Sequence, residues 1–415
     1  MKRTYYKLFL KLRSPLSLGS GISDSTDHDV LRDNRGTPYI PATSIAGVIR
    51  HSLDDETGKK LFGSIEDTAH ASSPVITYGA VCTGESVISV RDSVCLKDDD
   101  KTAADTGKFD FEIVETGAEF VGYIELIDCD DEADQAILDA LRKINLGLLR
   151  FGHKTSRGYG IVEVSCQRME FTDISEWLDF DMFDGACWSG AETPELKPSD
   201  DVTRITLSLK QHGALSIRSY VTGPLTDGKG ERKECNESIL PDYRQLSLEN
   251  DTPVIPGTSW AGAFRTRFRD FTDCDTRDEL FGYIEKNKKN AQNHKSRIYF
   301  SESRIRKCTS KIITRNSIDR FTCGTNDGAL YTEQTIYNGE AELEILLIEK
   351  PSQKSASALM AVIADLDNGF LAVGGLTAVG RGLFEVTKLC VNGVDKTEDF
   401  KSYRFNDILE VRGDV

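Results

Sequence analysis

No apolar run in these 415 residues approaches the roughly 20 positions of a membrane-spanning helix, which excludes a span of that kind. The opening residues, Met1-Lys2-Arg3-Thr4-Tyr5-Tyr6, lack the apolar region of a secretory signal. None of the ten cysteines stands in a close C-x-x-C pair, and a chain of this length needs no covalent staples. The expectation is a cytoplasmic protein with reduced thiols, no disulfide and no zinc site. A cationic excess is missing too: the formal net charge of −16 argues against a freestanding nucleic-acid binder, because Lys and Arg supply phosphate contacts. Acidic runs such as Lys97-Asp98-Asp99-Asp100 and Asp128-Cys129-Asp130-Asp131-Glu132 read as solvated surface. Basic residues gather instead in a glycine-rich loop near Lys154 and between Arg304 and Arg320.

What the chain does have is itself, twice. Ile40-Pro41-Ala42-Thr43-Ser44-Ile45-Ala46-Gly47 returns as Ile255-Pro256-Gly257-Thr258-Ser259-Trp260-Ala261-Gly262, with Pro41 and Pro256 set 215 residues apart. In each copy a proline closes an extended run and a Thr or Ser is placed to cap a helix, whose apolar face continues as Ile45, Val48, Ile49, Leu53 or as Trp260, Phe264, Phe268. Leu61-Phe62-Gly63 returns as Leu280-Phe281-Gly282, at an offset of 219. The run Gly152 to Val164 returns as Gly374 to Val386, at 222. Three landmarks in one order mean a duplicated domain, and the slow drift of the offset needs only small loop insertions.

Residues 4–13 alternate as a strand, a helix follows over 43–54, Val87-Ile88-Ser89-Val90 reads as a second strand and Phe120 to Leu126 as a third. A helix over 132–149 and a strand over 160–167 complete the unit. The second half repeats it: strand 203–211, helix 258–270, strand 297–303, strand 341–348, helix 355–367, strand 382–389. The order is β-α-β-β-α-β, so the fold class is α+β: two tandem ferredoxin-like, RRM-type domains. Domain 1 covers residues 1–188 and domain 2 residues 203–415, joined by 189–202, a stretch of linker composition. Trp260, Phe264 and Phe281 are expected in the core.

The combination of Gly-x-Gly after the first strand, Ile-Pro-x-Thr-Ser-x-x-Gly, Leu-Phe-Gly and a terminal glycine loop resembles the RAMP superfamily. Thr26-Asp27-His28-Asp29-Val30-Leu31-Arg32-Asp33 ahead of Pro38-Tyr39-Ile40-Pro41 narrows the likeness to the backbone subunits of type III CRISPR interference complexes. The resemblance implies that each half holds a segment of crRNA guide, that copies and other RAMP and large subunits stack along it, and that complementary target RNA is a partner. It also implies a β-hairpin thumb inserted in each half between the second and third strands. Thr314 to Phe321 with Gly328 to Gln334 matches the thumb phrase and offers Ile318, Phe321 and Leu330 as its apolar wedge. In the first half only Lys108-Phe109-Asp110-Phe111-Glu112 of that phrase is kept, within residues 91–115.

Glycine loops can present backbone N–H groups to phosphate, and the alternative is a tight turn that merely needs positive φ. The expected RNA contacts of the first half are Ser44, Arg50, Gly152, Lys154, Arg157 and Gly158; those of the second are Ser259, Arg265, Gly380 and Arg381, where Leu376 and Val379 replace the two basic positions. Asp27 stands 14 residues before Pro41 and Asp242 stands 14 before Pro256. In the resembled family the matching aspartate cleaves target RNA with a divalent ion, so Asp27 and Asp242 are the candidate catalytic and metal-binding residues, with Mg2+ or Mn2+ as cofactor. The competing reading of each is a solvated loop carboxylate. Asp24, Asp29 and Asp33 are further candidate donors, Asp33 being equally suited to pair with Arg32, and His28 is more simply a surface residue than a proton carrier. His153 as the base of a guide-processing nuclease has no evident second partner. Three hypotheses follow: a fused double backbone subunit that cuts target RNA by metal-dependent endonucleolysis, the same scaffold without chemistry, and a metal-independent guide processor.

Overall fold

A computed structural model describes residues 2–21, 26–66, 69–96, 103–196, 202–219, 241–248, 250–283 and 294–412. Asp24, the run Lys97 to Asp100 and residues 197–201 of the linker stretch lie outside them. Two compact units result. The first comprises residues 1–90, 110–155 and 159–200; the second comprises 201–415 together with 91–109 and 156–158.

In the first unit the strand Arg3–Leu12 is central. It pairs antiparallel with Glu119–Ile127 on one side and Val162–Phe171 on the other, with Leu8 opposite Gly122 and Cys166. Val75–Cys82 and the short Tyr39–Ile40 extend the sheet beyond Glu119–Ile127, giving the antiparallel order of a split β-α-β unit. Alternation fixes the two faces. Tyr6, Leu8, Leu10 and Leu12 point into a core closed by Ile45 and Ile49 of the helix Ala42–His51 and by Ile137, Leu141 and Ile144 of the helix Asp131–Asn145. Tyr6 is fully buried and its hydroxyl donates to Asp134 at 2.6 Å, so the phenol keeps its proton well above the ordinary tyrosine range. Residues 172–196 return across the opposite face of the sheet, where Tyr5, Phe171 and Trp188 form a separate apolar cluster. Arg168 and Glu192 exchange backbone hydrogen bonds at the edge of this return.

The second unit repeats the plan. Thr203–His212 pairs with Glu340–Leu347 and Leu383–Val391, and Ile298–Phe300 with Ser303–Arg306 lie on the outer side of Glu340–Leu347. Trp260, Phe264 and Phe268 of the helix Gly257–Phe268 are fully buried, Phe281 packs against them, and the helix Gln353–Asp367 closes the core.

Two expectations need correction. The second strand of the first sheet is Val75–Cys82, not residues 87–90; Ile88–Leu96 instead forms a hairpin with Ala103–Val114, outside the sheet. Apolar alternation is common to both stretches, and Ile88–Leu96 is the incoming strand of the inserted thumb. Nor does a Thr or Ser cap the paired helices. Pro41 and Pro256 are the N-caps, and their carbonyls receive the N–H groups of Ser44 and Ser259 at 2.9 Å. The next helices do have side-chain caps, Asp54 on Thr57 N–H and Asp273 on Thr276 N–H, and both end on a glycine at positive φ, Gly63 and Gly282.

Candidate nucleic-acid interface and cleavage loops

The two glycine loops are built alike, position for position. Gly160 and Gly382 have φ of 73° and 75°, and a Cβ on either would lie 1.9 Å from a carbonyl, of Phe151 or Val373. Only glycine fits there. A single 3-10 turn precedes each, Thr155–Arg157 and Thr377–Val379. Gly152 and Gly380 are exposed and at positive φ, whereas Gly158 is buried, with Phe300 O only 2.4 Å from a built Cβ. Arg157 is exposed, as is His153. Lys154 is half-buried and holds its ammonium over the Phe111 ring, 3.0 Å from the centroid.

Arg381 is not an outward-facing phosphate contact, and that expectation is corrected. Its guanidinium is 2% exposed and both terminal nitrogens donate to Glu333, at 2.5 and 2.9 Å. Glu333 is fully buried in the outgoing thumb strand Tyr331–Tyr337, a position the sequence reading left unassigned. The same carboxylate has Arg315 at 3.2 Å and Arg218 at 3.8 Å, both partly exposed. Arg218 also lies over the Tyr243 ring, at 4.5 Å. Glu333 therefore gathers three guanidinium groups beside Asp242 and Tyr243, and the outer two, Arg218 and Arg315, reach solvent. The signal for this cluster in the sequence was slight: a single acidic residue in the middle of the thumb phrase Tyr331-Thr332-Glu333-Gln334.

The candidate aspartates are exposed, yet neither sits in a loose loop. Asp27 N–H donates to Asp110 Oδ1 and Asp110 N–H donates to Asp27 Oδ2, each at 3.0 Å. Asp242 N–H donates to Thr332 O at 2.8 Å and Thr332 N–H donates to Asp242 Oδ2 at 2.7 Å. The next pair along also matches: Glu112 N–H donates to His28 O and Gln334 N–H donates to Tyr243 O, at 3.0 and 2.9 Å. Both aspartates are thus clamped to the outgoing strand of a thumb hairpin, Ala103–Val114 or Tyr331–Tyr337. The other proposed donors are spoken for. Asp29 is buried and accepts from Thr26 N–H and Oγ1–H, and Asp33 accepts from the N–H groups of Arg35 and Thr37, while Arg32 pairs with Glu112. His28 is exposed.

Among the described residues no group of three or more His, Cys, Asp or Glu side chains gathers as a cation cage. The first centre does bring two carboxylates together, Asp27 and Asp110, each oriented by the other's backbone N–H. Two oxygen donors completed by water and substrate phosphate fit Mg2+ or Mn2+. The second centre has Asp242 beside the Thr332 backbone, and the Thr332 hydroxyl lies 3.2 Å from that of Thr314, a thinner donor set.

Ser44 and Ser259 are half-buried in the first turns of their helices, and Arg50 and Arg265 are exposed near the helix ends. The second thumb is the hairpin Thr309–Arg315 and Tyr331–Tyr337, with Ile313 opposite Glu333. Ile318, Phe321 and Leu330 stand at its tip, Phe321 being 90% exposed. Among the described residues no helix is long and apolar enough to cross a membrane. A family model described as the RAMP superfamily matches residues 9–163 and 213–385, one match on each repeat. No curated protein matches the chain.

Proposed function

The chain belongs to the RAMP superfamily, two units in one polypeptide, which implies a CRISPR-associated RNA-binding role, and from that premise we propose a fused double backbone subunit of a type III effector. In this reading it holds crRNA through its glycine loops and paired helices and cuts complementary target RNA at Asp27 and Asp242. The observation that carries the reading is the shared clamp: in each repeat a thumb-strand N–H, of Asp110 or of Thr332, donates to Oδ2 of the aspartate. A carboxylate fixed beside the element that wedges a guide–target duplex is held where a displaced nucleotide exposes its backbone.

Asp27 with Asp110, and Asp242 with the two threonines, would hold the divalent ion. When bound, it would lower the cost of charge on the phosphate and favour ionisation of the neighbouring 2′-OH. The displaced nucleotide's 2′-oxygen attacks the adjacent phosphorus as the bond to the 5′-oxygen breaks, leaving a 2′,3′-cyclic phosphate and a 5′-hydroxyl. The thumb positions that phosphate, and in the second unit Arg218 and Arg315 add positive charge close to it.

A non-catalytic scaffold is the second reading, and one fact favours it: each aspartate already spends an oxygen on a backbone N–H. Asparagine separates the two, because its amide oxygen keeps that hydrogen bond and loses the charge. In the assembled complex, Asp27→Asn should erase one target product and Asp242→Asn another, with guide and target binding intact. Chelation should erase both, and Mg2+ or Mn2+ should restore them. Full cleavage by both variants would leave the scaffold reading standing, and full cleavage by the chelated complex would remove the divalent ion from the account.

A further inference from the structure

The outer face of the first unit's sheet has a composition that the cleavage reading does not use. On the strand Arg3–Leu12 the alternate residues away from the core are Arg3, Tyr5, Lys7, Phe9 and Lys11, basic and aromatic in turn. Tyr123, Tyr78 and Phe171 bring further rings from the neighbouring strands. Four-stranded sheets of this topology that bind single-stranded RNA do so with aromatics on this face, where bases stack, and with cations beside them.

In this chain the face is already occupied. Residues 172–196 contain Asp173, Glu176, Asp179, Asp181, Asp184, Glu192 and Glu195 and no Lys or Arg. Their rings settle on the sheet one by one. Phe180 lies 5.0 Å from Tyr5 and 4.7 Å from Phe171, Phe183 meets Tyr78 and Tyr123 edge-on at 6.0 and 5.3 Å, and Trp188 lies 6.1 Å from Tyr123. Trp177 donates its indole N–H to Tyr5 Oη at 2.8 Å, with Arg3 over its ring at 5.2 Å. Lys7 reaches the ring of Trp188 at 5.8 Å and that of Phe9 at 5.5 Å. The strap is anionic along its length, and its side chains meet the sheet as tilted and edge-on ring pairs and as cation–π pairs. Asp173, Asp181 and Asp184 cap N–H groups within the return, Glu192 pairs with Arg168 at 3.1 Å, and Arg3 and Lys7 of the sheet meet its rings.

We propose that the outer sheet face of the first unit is a stacking site for single-stranded nucleic acid, and that residues 172–196 occupy it in cis, rings in place of bases and carboxylates in place of phosphates. The site is separate from the glycine loops and the aspartates.

The test uses the full chain and a labelled short oligouridylate, with residues 173–191 replaced by a Gly-Ser linker. Affinity should rise about tenfold or more, on the order of one stacked base, and should fall more steeply with salt. Adding Tyr5→Ala and Tyr123→Ala should remove the gain. Repeating the series in an Arg157→Ala background tells a gain on the sheet face from a change at the glycine loop, so the outcome does not depend on the cleavage reading. A folded strapless chain that binds no tighter, or whose gain survives the tyrosine changes, overturns the proposal. If the strapless chain does not fold, the variant Glu176→Gln, Asp179→Asn, Asp181→Asn keeps the strap and decides. Its oligouridylate affinity should rise several-fold through lost repulsion, and an unchanged value overturns the proposal.

Discussion

Glu333 accepts both terminal nitrogens of Arg381 in a pair that is almost fully buried, and 222 residues earlier the same two positions hold Phe111 and Tyr159, whose rings lie 6.0 Å apart. One repeat ties its thumb strand to its glycine loop with apolar rings and the other does so with charge. Breaking a buried pair from one side strands a desolvated ion, whereas replacing both sides together need not be costly.

Glu333→Phe alone should therefore lower the stability of the second unit by about 3–5 kcal/mol, measured by denaturant unfolding. Adding Arg381→Tyr should recover most of the loss, because the pair then copies the first repeat. A double variant no more stable than the single would show that Glu333 matters more for holding Arg218 and Arg315.

Salt dependence should separate the arginines. Arg157→Ala removes an exposed cation and should flatten the slope of guide-RNA retention against salt by about one phosphate contact, and Lys154→Ala adds up to one more. Arg381→Ala should leave the slope unchanged and lower the melting temperature instead, since its charge is spent on Glu333. Retention at graded salt, with thermal melting alongside, reads both.

At the thumb tip, Ile318→Ser with Phe321→Ser and Leu330→Ser should leave the fold intact, since all three side chains are well exposed. If the tip wedges a guide–target duplex and flips a nucleotide, mismatches at regularly spaced positions should be tolerated by the unaltered assembly and penalised after these changes. A uniform mismatch penalty in both would remove the wedge from the account.

Alkaline titration probes the face beneath the strap. Burial and the neighbouring Glu125 carboxylate, 3.0 Å away, push the Tyr78 phenol up to about 12. The neutral phenol is favoured in the fold, so its contribution is complete below about pH 10, the ordinary tyrosine value, and is lost as pH rises toward 12. Unfolding measured from pH 9 upward should show a shallower decline for Tyr78→Phe than for the unaltered chain.

The β-α-β-β-α-β order and the buried helix face of Trp260 and Phe264 were legible from periodicity and repetition, and the two aspartates from their equal spacing before Pro41 and Pro256 together with the family resemblance. Other features were not. Residues 75–82 and 87–90 are similar short apolar stretches, and only tertiary pairing chooses which joins the sheet. Arg381 sits in a glycine loop exactly as a phosphate contact would; its burial depends on Glu333, 48 residues earlier and on another element. Residues 189–202 read as a linker from composition, which does not report that the stretch before it, with Trp177, Phe180 and Trp188, has a sheet to lie on.

The hairpin stretch 91–109 belongs to the second compact unit, where Arg91 and Glu302 form a buried ion pair. A ribosome must therefore finish residue 302 before the hairpin of the first repeat can settle, so the first repeat is left incomplete by its own translation. The same charge makes the duplication hard to undo. A gene split at the linker would place Arg91 and Glu302 in separate products, where the buried pair could form only between two chains.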